Sequence, residues 1–179
     1  MPQYRRLYQS GGYYFFTLVT HERRKFLTDE LARKCLRDAW LTVRSKRPFN
    51  LIALCLLPDH LHCIWKLPDN DCDFSQRWSS IKSLFSRNYL KLEGIEGNRT
   101  KSRMSKAERA IWQRRFFEHL IKNEDDLNRR IDYIHYNPLK HRLVERLADW
   151  KWSTFHKYMK NGYYIDYDDI ESPGDLELE

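Results

Sequence analysis

No apolar run in this sequence nears the length that spans a bilayer, and no cleavable leader pattern opens it. The expectation is a cytoplasmic, nucleoid-associated protein that stays off the membrane. The four cysteines, Cys35, Cys55, Cys63 and Cys72, lack Cys-x-x-Cys spacing, so reduced thiols are expected rather than a metal knot. There is no internal repeat, and 179 residues suit one domain with a proper core better than two. Residues 161–179 contain no lysine or arginine and hold seven acids. Residues 1–160 therefore carry 32 cations against 18 acids, a net +14 beneath the formal +7 of the whole chain.

Aromatic and basic residues are abundant. Six Trp, eleven Tyr and nine Phe, within 41% hydrophobic residues, argue for a folded chain rather than a disordered one. A basic, aromatic body with an acidic end suits a polyanionic partner, because Lys and Arg displace the counterions condensed on phosphates. Nucleic acid leads that class; the alternative is that the charge only keeps the domain soluble.

Periodicity orders the elements. Residues 13–20 are short, aromatic and β-branched behind Gly11-Gly12, and read as a buried strand. Thr28 is expected to cap a helix opening at Asp29-Glu30, with Leu31, Cys35, Leu36, Ala39, Trp40 and Val43 on one stripe. Residues 49–57 and 60–66 read as an antiparallel pair joined by Pro58-Asp59. Asp73 can cap a second helix with Phe74, Trp78, Ile81, Phe85 and Tyr89 aligned; residues 94–106 are expected to form a mobile loop. Residues 116–121 read as a further strand, and Asn123 as the cap of a helix stopping at Pro138. The order β-α-β-β-α-β plus a helix predicts an α+β, ferredoxin-like antiparallel sheet with helices packed on one face. One domain is expected over residues 1–160, with 161–179 as an acidic tail that either lies over the basic surface or is simply solvated.

Two short segments carry chemistry. In a strand, side chains alternate faces, so His60 and His62 point the same way while Leu61 and Cys63 point into the opposite layer. Two imidazoles side by side on a rigid sheet make half a metal site, although an ordinary strand explains such a pair equally well. On the last helix, Leu127, Ile131 and Ile134 form a core stripe, with Arg130, Tyr133 and Asn137 together on a neighbouring stripe. Asn137 either offers its carbonyl oxygen to a metal that Tyr133 faces, or caps the helix before Pro138. The two segments share one purpose. A phenol, with an ordinary pKa of about 10, is a poor nucleophile at neutral pH, and a divalent ion would polarise a phosphate for it.

At these residues the chain resembles the REP-associated tyrosine transposases, relatives of the single-tyrosine insertion-sequence transposases of the HUH class. The resemblance spans roughly residues 3–160. It runs through Tyr4-Arg5-Arg6, Gly11-Gly12-Tyr13-Tyr14-Phe15-Phe16-Thr17 and Leu57-Pro58-Asp59-His60-Leu61-His62-Cys63-Ile64-Trp65. It continues through Trp112-Gln113-Arg114-Arg115-Phe116-Phe117-Glu118-His119, Asp132-Tyr133-Ile134, Asn137-Pro138 and Asp149-Trp150-Lys151-Trp152-Ser153-Thr154-Phe155-His156.

The resemblance implies a metal-dependent single-stranded DNA nuclease and strand transferase acting at REP-type hairpins. It implies Mg²⁺ or Mn²⁺ on His60, His62 and Asn137, and Tyr133 as the nucleophile that becomes joined to the 5′ phosphate. Arg5 and Arg6 are then candidates for reading bases beside the hairpin. Arg23, Arg24, Lys82, Arg87, Arg114, Arg115 and Arg130 are candidates for DNA contacts. Trp78 and Trp112 are expected in the core, with base stacking the other use for such rings. Insertion-sequence relatives exchange the tyrosine helix between two subunits, whereas the REP-associated branch resembles a monomer, which is the expectation here. A regulator of the same architecture that binds hairpin DNA or RNA without cutting is the alternative.

Overall fold

The computed structural model describes residues 6–165 and Ile170. Arg5 and the acids of the expected tail lie outside the described residues. Four strands, β1 (Tyr13–Val19), β2 (Asn50–Leu56), β3 (His60–Lys66) and β4 (Phe117–Leu120), form one sheet in the order β2-β3-β1-β4. Every neighbouring pair is antiparallel, so the order is that of a ferredoxin-like sheet with β3 and β1 at its centre. The helices are α1 (Glu30–Lys46), α2 (Phe74–Lys91), α3 (Lys101–Ser105), α4 (Glu124–Lys140) and α5 (Phe155–Lys160).

Strand alternation sorts the core into two layers. Tyr14, Phe16 and Leu18 of β1 and Leu61, Cys63 and Trp65 of β3 face α1 and α2. Trp65 stacks on Trp78 at 4.1 Å, and Trp40 meets both rings edge-on. Burying each such side chain contributes about 1.5–3 kcal/mol. The opposite layer, Phe15, Ala53, Cys55, Leu57 and Ile64, is covered by Ile131, Tyr133 and Ile134 of α4. The two crossover helices thus lie on one face as expected, and α4 seals the other. The residues alternating with the core positions of β3 include His60 and His62, so α4 and the histidines share one face.

Local expectations hold at most boundaries and fail at four. The α2 cap is as read, Asp73 accepting from the Gln76 N–H at 2.9 Å. α1 begins one residue later than its sequence signal: Asp29, not Thr28, takes the cap position and makes no side-chain cap bond. Thr28 instead lends its carbonyl to Arg33 Nε at 2.9 Å. Residues 94–106 are built into the body rather than forming a loose loop. Thr100 caps α3, the Gly97 N–H donates to Ala110 O, and the buried Arg103 donates to Arg109 O and Trp112 O. α4 runs past Pro138 to Lys140. The ring can donate no bond to the Ile134 carbonyl, yet the helix runs on for two residues beyond it. Asn137 is therefore no terminal cap; its Nδ2 donates to Tyr133 O one turn back, at 3.0 Å. The folded body also passes the expected boundary at residue 160. Tyr164 is buried against Leu147, Phe155 and Ile170, and donates through its hydroxyl to Asp132 of α4.

Candidate active site

β3 delivers His60 and His62 to the α4 face, each only 1% exposed, with ring centroids 4.9 Å apart. Both rings are held from behind. His60 Nδ1–H donates to Asp59 Oδ1 at 2.6 Å, and His62 Nδ1 pairs with Thr17 Oγ1 at 2.9 Å. Thr17 stands directly across from His62 in the β1–β3 register, so the sheet itself sets that bond. With Nδ1 protonated, each Nε2 carries its lone pair toward α4.

Burial, reinforced by the neighbouring His60, His141 and Lys140, holds His62 well below the ordinary histidine pKa, so it stays the neutral imidazole that a ligand requires. Burial alone would raise the Asp59 carboxyl. The His60 hydrogen bond and Arg23 outweigh it and take Asp59 down to about 2. Arg23 reaches Asp59 at 3.4 Å from a turn in which Glu22 and Arg23 both adopt positive φ (54° and 49°). Non-glycine residues rarely hold that conformation, and it is local strain placed beside the site.

α4 supplies the other half. Tyr133 is 3% exposed, edge-on to His62 at 5.3 Å and to Phe15 at 6.1 Å. Asn137, fully buried, lies one turn on with its side chain against His62. His60 Nε2, His62 Nε2 and Asn137 Oδ1 are buried, and none has a hydrogen-bond partner among the described residues. Leaving a buried acceptor unmatched costs about 1–3 kcal/mol. Three converging in one place fit a divalent cation, which satisfies all of them at once. Imidazole nitrogens are softer donors than the oxygen sets that Mg²⁺ prefers, so the donor chemistry by itself selects no one divalent metal. Among the described residues no cluster of three His, Cys, Asp or Glu offers a rival site, and the four cysteines are unpaired thiols.

The expected DNA-contacting cations fall into separate groups. Arg6 is turned inward at β4, its Nε 3.1 Å from Glu118, its Nη1 donating to Ser75 and its guanidinium 4.7 Å over Phe116. Arg24 donates to Ile95 O and covers Phe26. Arg130 is buried, not exposed: its Nε donates to Asp126 at 2.8 Å and its guanidinium lies over Phe15 at 5.2 Å. That bond joins Arg130 to the first turn of the same helix, while its Nη1 is buried with no partner among the described residues.

Lys82, Arg87 and Arg114 line one groove of about 890 Å³ between α2 and residues 103–114, together with Lys91, Arg103 and Arg109. Within it Lys82 donates to Gln113 O and Arg114 O, and burial lowers its pKa to about 8. Arg115 is exposed beside this groove. Trp78 and Trp112 are core residues, 0% and 4% exposed.

Three contributors went unnoticed in the sequence. Asp59 looked like part of a turn, although adjacency to His60 was a visible signal. Thr17 became relevant only through strand pairing. Lys140 donates to the Tyr133 hydroxyl at 3.3 Å and lies 4.9 Å from its ring; ending the helix at Pro138 hid it.

The family model described as IS200-like transposase matches residues 8–137, a span that contains all four residues of the candidate centre. The REP-associated tyrosine transposase of Escherichia coli K12 is 41% identical over 92% of this chain and 88% of its own. A Haemophilus influenzae Rd relative of the same kind is 42% identical over 92% of this chain and 91% of its own. A solved REP-associated tyrosine transposase, bound to a REP hairpin, superposes with a TM-score of 0.79 at 37% identity, covering 99% of this chain and 96% of that one. The chain belongs to the IS200-like transposase family, among the REP-associated tyrosine transposases.

Proposed function

We propose that this chain cuts and rejoins single-stranded DNA beside a hairpin, with Tyr133 as the nucleophile. The observation that carries the reading is the set of three unpartnered acceptors, His60 Nε2, His62 Nε2 and Asn137 Oδ1, around the tyrosine. A Mg²⁺ or Mn²⁺ ion held there would supply Lewis-acid polarisation of the scissile phosphate. Asp59 and Thr17 fix the imidazoles so that both Nε2 atoms stay aimed at one point. Phe15, packed against both His62 and Tyr133, keeps the phenol from turning away.

Tyr133 Oη forms the new bond to phosphorus and the bond from phosphorus to the 3′ oxygen breaks. The products are a 5′-phosphotyrosine and a free 3′ hydroxyl; the phenolic proton passes to solvent, and the departing oxygen takes one from it. The hairpin substrate is supported by the solved relative bound to a REP hairpin and by the basic groove beside α2. The acting form is read as a monomer, as the resemblance to the REP-associated branch implies.

The test is an SDS-resistant protein–DNA adduct on hairpin oligonucleotides with single-stranded flanks. It is expected to require divalent metal, to vanish in Tyr133→Phe, and to fall at least a hundredfold in His62→Ala. Tight hairpin binding without any adduct would favour the non-cleaving regulator. Cleavage retained in Tyr133→Phe would mean that water is the nucleophile.

A further inference from the structure

We infer that Lys140 is a catalytic residue of this centre, donating to the Tyr133 oxygen and pairing the negative charge that gathers there as the phenol attacks. This role rests on the proposed reaction. Lys140 lies seven residues, close to two turns, beyond Tyr133 on the same helix face, and helical side chains lean back toward the N-terminus. That lean brings Nζ to 4.9 Å from the centroid of the Tyr133 ring and to 3.3 Å from the hydroxyl oxygen. The contact exists because α4 continues through Pro138 to Lys140.

Among the described residues the other charged groups near the phenol make no hydrogen bond to its oxygen. Arg130, three residues before Tyr133, gives its Nε to the buried Asp126, and its buried Nη1 meets no acceptor, the Tyr133 hydroxyl included. The His60 and His62 rings are held at Nδ1 by Asp59 and Thr17. His141 stands edge-on to His60, 5.0 Å away. Among the described residues Lys140 makes no ion pair with a carboxylate. A fixed donor aimed at an oxygen that becomes more negative in the transition state lowers the barrier without moving. The ammonium keeps its proton throughout. In rejoining, the 3′ hydroxyl attacks phosphorus, the bond to Tyr133 Oη breaks, and the same ammonium steadies the departing phenolate.

The experiment compares wild type, Lys140→Met, Lys140→Arg and Tyr133→Phe under single turnover, with saturating hairpin oligonucleotide and Mn²⁺. Hairpin affinity is measured separately without metal. Lys140→Met is expected to slow adduct formation roughly tenfold to a hundredfold, to slow rejoining similarly, and to leave the Kd within about twofold of wild type. Lys140→Arg, which keeps the charge, is expected to recover most of the lost rate. Wild-type rates in Lys140→Met would overturn the role, as would a defect confined to Kd. An arginine variant as slow as the methionine one would also overturn it. Absence of any wild-type adduct would overturn the underlying reaction as well, so the two failures are distinguishable.

Discussion

At the scale of single residues, the site is a set of lone pairs held in position by neighbours that never touch the ion they would bind. Asp59 is the clearest case: its carboxylate takes the His60 Nδ1–H at 2.6 Å and so leaves Nε2 as acceptor. Removing an outer partner of this kind typically weakens metal binding about 10–100-fold. Asp59→Asn is therefore expected to raise the Mn²⁺ concentration needed for half-maximal adduct formation by that factor while hairpin binding without metal is unchanged. A metal titration of the two proteins checks this. His60, His62, Tyr133 and Asn137 were legible in the sequence because each belongs to a local period, two in the strand and 3.6 in the helix. Asp59, Thr17 and Lys140 were not, since their roles depend on a turn, a strand partner and a helix end.

At the scale of elements, α4 determines whether the centre exists. Its N-terminus is fastened by Asn123, which accepts from the Asp126 N–H at 2.9 Å, and by Asp126, which binds His119, the Lys122 N–H and Arg130. Replacing the cap by Asn123→Ala is expected to cost about 1 kcal/mol, read from a denaturant midpoint. Burial resists ionisation of Asp126, yet the three donors prevail and bring its pKa to about 2. A carboxylate depressed in the folded state contributes stability above its unfolded pKa, about 3.9, and loses it as the pH falls toward 2. Urea midpoints of wild type and Asp126→Asn are thus expected to differ at pH 6 and to converge between about pH 4 and pH 2. A constant gap across that window would refute the assignment. The helix itself was readable from its apolar stripe; its length was not, because Pro138 reads as a stop signal and the helix runs two residues past it.

At the scale of the whole molecule, one face of the sheet is packed with tryptophan and phenylalanine under α1 and α2, and the other carries the centre under α4. The basic groove between α2 and residues 103–114 lies on the structure that the first of these layers supports. If hairpin phosphates follow it, each cation removed lowers the number of counterions released. Arg87→Ala is expected to weaken hairpin binding and to flatten the slope of log affinity against log salt by about 0.9. Affinity measured at several salt concentrations checks this, and an unchanged slope would place the DNA elsewhere.

Sequence alone determined the four strands and the three long helices, that His60 and His62 share a face, and that Tyr133 and Asn137 share a stripe. Those follow from backbone periodicities that any isolated segment already possesses. Tertiary structure decided which face α4 covers, that residues 94–106 are pinned rather than loose, and that Arg6 and Arg130 are held by Glu118 and Asp126. It alone brought Lys140 to the phenol and left three buried acceptors pointing at one place. Charge pairing and convergence depend on groups far apart in the chain, and only the packed sheet and helix bring them within bonding distance.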